Sequence, residues 1–135
     1  ADTARFATPG VNIGLFCSTP MVALSRNVTH KHAMEMLLTG DMIAATRAEQ
    51  IGLINRVVDA SQLTEQSMAM ASQIAGKSQM TVALGKRAFY QQASMPLAGA
   101  YDYTSEVMVG NLLKQDAKEG IDAFIGKRPA HWRDQ

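Results

Sequence analysis

What is scarce in this sequence narrows it first. Among 135 residues there is one cysteine, Cys17. No internal disulfide can form, so the core has to hold the fold, and a reducing compartment is expected. Neither sign of charge dominates: 13 Lys and Arg stand against 12 Asp and Glu, a net charge of +1. That balance gives no global pull toward nucleic acid or an anionic membrane surface. No apolar run approaches the roughly 18 residues of a membrane-crossing helix, and no signal-peptide pattern opens the chain. Repeats, linkers and low-complexity segments are missing. So is an initiator Met, and the opening ADTARF reads as a chain processed, trimmed or cut from something longer. The most local absence is in FATPGVNIGLFCSTP, residues 6–20, which holds no Asp, Glu, His, Lys or Arg. The stretch has the glycines, proline and hydroxyls of an active-site loop without a group to move a proton.

What is present is an ordinary soluble composition, 47% hydrophobic and 19% charged, of a length that suits one domain with a modest core. There are nine methionines, several of them in helical patterns, and they read as adaptable core packing.

The pattern along the chain changes character. Residues 1–26 are weakly periodic: Phe6 and Ala7 read as the end of a short strand and Pro9-Gly10 as a turn. Ser18-Thr19-Pro20 reads as a helix start, with a capping hydroxyl and a proline at the first helical position. THKHAMEMLLTG predicts a helix capped by Thr29 and stopped by Gly40. Residues 43–52 predict a short helix and LINRVV, 53–58, a short strand. Further helices are expected over about 61–75 (capped by Asp59 or Ser61), about 79–91, from Pro96 to Leu113, and about 116–125. The chain is therefore expected to be mostly α with a few short strands. Two such strands make no stable sheet alone, and an N-terminal part is expected to be absent.

Three ordered blocks carry a family resemblance: ADTARFATPGVNIGL, AMEMLLTGDMIAATRAEQIGLINRVV and EGIDAFIGKRPAHW. Together they resemble the C-terminal half of the crotonase superfamily, the enoyl-CoA hydratase/isomerase fold. The most specific piece is LLTGDMIAATRAEQIGLINRVV, and the variant FATPGVNIGLFCSTP is closest to one branch of that superfamily. The resemblance implies the C-terminal part of an α/β spiral (ClpP/crotonase-like). Residues 1–28 would end the spiral core, and 29–135 would form a helical, trimer-forming region. It also implies acyl-CoA as substrate, with two backbone N–H groups as an oxyanion hole around the thioester carbonyl and one or two carboxylates moving protons. Both donors and a first glutamate, after a triple-glycine turn, would lie upstream of residue 1, and no such turn occurs here.

In the hydratases a second glutamate follows the proline of a Phe-x-x-Pro-Glu segment. Phe6, Ala7, Thr8 and Pro9 match that segment, and Gly10 stands where the glutamate would be. Glycine has no side chain with which to transfer a proton. No catalytic residue is therefore assigned. An upstream glutamate acting alone, a polar role for Asn12, Cys17, Ser18 or Thr19, or binding without turnover remain open. Pro9, Asn12 and Cys17 are candidates to line an acyl pocket. The plain alternatives are a turn glycine, a surface asparagine and a small buried thiol. His30 and His32 lie two apart, on different faces, and offer Cys17 no obvious base. They lack a third partner for a metal, so none is expected.

The closing helix is the other candidate. The resemblance places Phe124 and Lys127 at a coenzyme A pocket, often a neighbouring subunit's, and Arg128 adds a second cation. The alternative is a solvated tail whose cations favour the negative end of the helix dipole. Trp132 reads as a packing or interface group.

Two functions follow. One is the C-terminal portion of an enzyme acting on acyl-CoA by enolate stabilisation, the 135-residue chain itself inactive. The other is a non-catalytic acyl-CoA-binding or assembly module. Neither requires a cofactor beyond the coenzyme A of the substrate. A homo-oligomer, trimer or hexamer, is expected, without nucleic acid or membrane. The compartment would be cytoplasmic in a bacterium and the mitochondrial matrix in a eukaryote.

Overall fold

The computed structural model describes all of residues 1–135. The chain forms two compact units, Ala1–Met68 and Ala69–Gln135. In the first, strand β1 (Arg5–Phe6) leads through a 3₁₀ turn at Pro9–Ile13 into α1 (Ser18–Asn27) and α2 (His30–Thr39). Strand β2 (Ile43–Ala44) and α3 (Ala45–Gln50) follow. Helix α4 (Leu63–Ala75) carries the chain into the second unit, which holds α5 (Gln79–Gln92), α6 (Leu97–Leu112) and α7 (Gln115–Ile125). The expected helix-rich class with few strands is what forms.

The first unit is organised by α1 and α2. Leu24 and Val28 pack on Ala33, Met36, Leu37 and Ile51, with Phe6, Cys17, Met21, Ile43 and Leu53 around them. Gly40 ends α2 as expected, at φ 66°, a left-handed conformation that glycine adopts without a Cβ penalty. Thr29 occupies the N-cap of α2, but its hydroxyl makes no capping bond.

Several expectations are corrected by partners that local reading cannot see. Residues 43–44 are strand rather than helix, because Phe6 pairs with Ile43 and Arg5 with Ala44, antiparallel. The strand expected at 53–58 does not form. The N–H groups of Leu53 and Ile54 both donate to the Ala48 carbonyl, and that of Val57 donates to Glu49 Oε1. Three of the segment's donors are thus turned back onto α3 instead of toward a sheet partner. The Pro9-Gly10 turn opens a five-residue 3₁₀ helix, Pro9–Ile13. Ser18 opens α1 but does not cap it, since its hydroxyl donates backwards to the Phe16 carbonyl. Asp59 caps a short 3₁₀ turn, Ala60–Gln62, from which α4 starts at Leu63.

In the second unit Ser78 caps α5, its hydroxyl accepting from Thr81 N–H. Pro96 stands at the N-cap of α6. The exposed faces remain strongly apolar: Leu97, Tyr101, Met108, Leu112 and Leu113 on or beside α6 all face solvent.

Candidate functional site

The loop that raised the question of catalysis closes on Gly10 from three directions. Gly10 N–H donates to Cys17 Sγ at 3.2 Å, and its carbonyl accepts from Leu15 N–H at 2.9 Å. A Cβ built on Gly10 would lie 2.6 Å from the Leu15 carbonyl oxygen and 2.8 Å from Cys17 Sγ. Both distances are below van der Waals contact, and the first involves backbone. The loop is therefore shaped for glycine, and not for the first atoms of a glutamate side chain. Cys17 is half-buried, touches the core and holds the loop's N–H. That is the behaviour of a small packing thiol.

The other loop candidates lie nearby. Pro9 is the first residue of the 3₁₀ turn, where its fixed φ suits the geometry and its missing N–H leaves nothing unpaired. Asn12 is exposed, with its amide against Gly40: a Cβ there would sit 2.9 Å from Asn12 Nδ2. A cavity of about 600 Å³ in this unit is bounded by Phe6, Thr8, Pro20, Leu24, Met36 and Leu53. Pro9, Asn12 and Cys17 stand outside that lining. The buried Thr8 hydroxyl donates to the Met36 carbonyl at 2.9 Å and ties the loop to α2. His32 lies beside Glu35 and Arg47, not beside Cys17.

The second candidate place is the end of α7. Phe124 is 85% exposed and borders an apolar cavity of about 530 Å³ with Val82, Ala117, Gly120, Ile121 and Trp132. Lys127 has φ 48°, a left-handed conformation that disfavours a residue with a Cβ. Arg128 is not a free cation. Its guanidinium meets Glu119 in a bidentate pair at 2.6 and 2.8 Å. Phe124, Lys127 and Arg128 thus share one helix end, with the third already neutralised. Trp132 packs, as expected: its ring lies over Gly120, and its N–H donates to the Gly76 carbonyl at 2.9 Å.

Three carboxylates that carried no sequence signal organise this end. Asp116, 2% exposed, accepts from the backbone N–H of Arg133 at 2.8 Å and of Asp134 at 3.0 Å. The Ser78 hydroxyl, then these N–H groups, hold its carboxyl below the ordinary range against the opposing effect of burial. Asp134 in turn accepts from Gln79 and Met80 N–H at the start of α5. Glu119 takes His131 N–H at 2.8 Å besides Arg128. Most of these partners are backbone N–H groups far along the chain, a pairing that no residue pattern encodes.

Arg128, then His131 N–H, lowers the Glu119 carboxyl from 4.5 to about 2. A depressed carboxylate stabilises the fold above its unfolded pKa, and the contribution is lost as pH falls through the folded value. Glu119→Gln is therefore expected to melt below the parent at neutral pH. The gap should hold down to about pH 4.5 and close toward about pH 2. Thermal midpoints of both proteins across that range check this. A gap independent of pH would show that the charge of Glu119 is not what holds the tail.

This helix-rich chain with a closed glycine loop belongs to the enoyl-CoA hydratase/isomerase family, whose sequence model matches residues 1–135. Within that family it is similar to enoyl-CoA hydratase domain-containing protein 3, mitochondrial. It is 52% identical to the Rattus norvegicus protein and 50% identical to that of Homo sapiens, each over 132 residues covering 98% of this chain and 44% of the relative. The branch suggested by FATPGVNIGLFCSTP is thus borne out. Crystal structures agree. A Mycobacterium smegmatis enoyl-CoA hydratase superposes with a TM-score of 0.93 at 46% identity, over 97% of this chain and 51% of that one. The human enoyl coenzyme A hydratase domain-containing protein 3 gives 0.92 at 50% identity, over 97% and 52%. The chain spans about half the length of the curated relatives it matches. The crotonase class expected from the three sequence blocks is the class observed. No helix is long and apolar enough to cross a membrane.

Proposed function

We propose that this chain contributes the C-terminal portion of an acyl-CoA site, in a protein that acts on acyl-CoA thioesters by stabilising an enolate in an oxyanion hole. On this reading the 135-residue chain alone does not turn over substrate. Negative charge building on the thioester oxygen needs preorganised N–H donors, and a carboxylate near the α or β carbon supplies roughly 10²–10⁴-fold more. The observation that carries the reading is the loop at Gly10: the place matched to a hydratase glutamate holds no acid and has no room for one. Phe124 and Lys127 are the groups we assign to coenzyme A, the ring as a stacking face and the ammonium as a phosphate partner. A lysine at a left-handed position that glycine would occupy more easily supports a use for its charge. Arg128, held by Glu119, takes the lesser part. Pro9, Asn12 and Cys17 would shape the acyl side through the loop. No cofactor is needed beyond the coenzyme A of the substrate.

The exposed apolar face of α6 favours a second reading, an assembly module, and under either reading a homo-oligomer, trimer or hexamer, would cover it. The rat and human relatives are named as mitochondrial. The proposed compartment is the matrix in a eukaryote and the cytoplasm in a bacterium.

The test is to give this chain crotonyl-CoA, following loss of the conjugated thioester's ultraviolet absorbance, and to titrate butyryl-CoA by calorimetry. We expect no hydration above buffer, and binding that Lys127→Ala weakens about tenfold, or about 1.4 kcal/mol. Hydration by this chain would overturn the inactive reading. Absence of any binding by a stable oligomer in light scattering would replace it with the assembly reading.

A further inference from the structure

The only two non-glycine residues at positive φ are Lys127, at 48°, and Asp134, at 60°. Both lie in the last nine residues, 127–135, a segment without helix or strand. Such backbone persists only where its surroundings hold it in place. Here the holding is almost entirely polar. Asp116 accepts from Arg133 and Asp134 N–H, and its own N–H donates to the Gln135 carbonyl at 3.1 Å. Glu119 holds Arg128 and His131 N–H, and Asp134 holds the first N–H groups of α5. One large apolar side chain, Trp132, docks. It forms a wall of the apolar cavity that α5 and α7 line with Val82, Ile121 and Phe124.

We propose that residues 127–135 are a latched strap. The buried Asp116 carboxylate is the latch, Trp132 is the removable wall, and local release of the strap opens the cavity while α5, α6 and α7 stay folded. The physical basis is an imbalance. The helices carry continuous i→i−4 ladders, and α5 and α7 also bury Ala88 and Ala123. The strap is held at a few side-chain acceptors, with two strained residues that relax on release. Segments with few buried apolar contacts and exposed backbone open by local fluctuation, well before global unfolding. Asp116 is where the strap, the start of α7 and the Ser78 cap of α5 converge, so its loss should release both tail amides together.

Native-state hydrogen exchange on the whole chain tests this. In the parent, the Arg133 and Asp134 amides should exchange at least tenfold faster than the most protected amides of α5 and α6, with little dependence on denaturant. Asp116→Asn keeps the shape and an acceptor oxygen but removes the charge. It should speed those two amides at least tenfold more and raise acrylamide quenching of Trp132, the chain's single tryptophan, with helix protection unchanged. Should that variant fail to fold, the parent's own exchange pattern decides. Strap amides that exchange only at the rate and denaturant dependence of the helices would overturn the proposal. So would a folded Asp116→Asn protein with unchanged strap exchange.

Discussion

Gly10→Ala is expected to destabilise the first unit by about 1–3 kcal/mol, and Gly10→Glu by at least as much, without conferring crotonyl-CoA hydration. The added Cβ would stand 2.6 Å from the Leu15 carbonyl oxygen and 2.8 Å from Cys17 Sγ. A flexible side-chain end can move aside, but a backbone carbonyl moves only with its segment. Leu15 N–H is itself bonded to the Gly10 carbonyl, so that segment is tied to the residue it would have to avoid. The contribution of each wall can be separated. Cys17→Ala removes the sulfur contact and the acceptor of Gly10 N–H, leaving the carbonyl in place. The double variant Gly10→Ala/Cys17→Ala should therefore remain less stable than Cys17→Ala alone. Urea denaturation of the four proteins measures this. A neutral Gly10→Ala would mean the loop opens freely, and a glutamate could then be accommodated after all.

Leu37→Ala is expected to remove about 2–5 kcal/mol of stability. Leu37 is 1% exposed and sits among Leu24, Val28, Met36 and Ile51. That small cluster is the core of the first unit, and truncation leaves a cavity with few neighbours able to collapse into it. Total stabilities of 5–15 kcal/mol make such a loss a large fraction of the whole. Leu38, its neighbour on the same helix, is 61% exposed, and Leu38→Ala should change stability by no more than about 0.5 kcal/mol. Denaturant midpoints of the pair are decisive. Equal effects would place the core of α2 on another face.

Local chemistry made much of this legible. The helices starting at 30, 79 and 97 and the one ending at 125 fall within a residue or so of their expected limits. Their signals lie in or beside the segments: apolar spacing, Thr29 before α2, Gly40 as a stop, Pro96 before α6. The family, too, is readable from three ordered blocks.

What the sequence could not determine depends on partners distant along the chain. Ile43 and Ala44 are strand because Arg5 and Phe6 lie beside them. LINRVV, with the branched residues of a strand, is not one, because α3 takes the N–H groups of Leu53, Ile54 and Val57. The charge of Arg128 was plain, but its neutralisation by Glu119, nine residues earlier, was not. That Gly10 is closed to any side chain rather than merely without one follows from the carbonyl of Leu15, five residues on. The sequence by itself determined most of the helices and the family, because those reside in residue types and short spacings. Only the tertiary structure decided which backbone groups pair, which cations are free and where a Cβ has room, because each of these depends on atoms brought together by the fold.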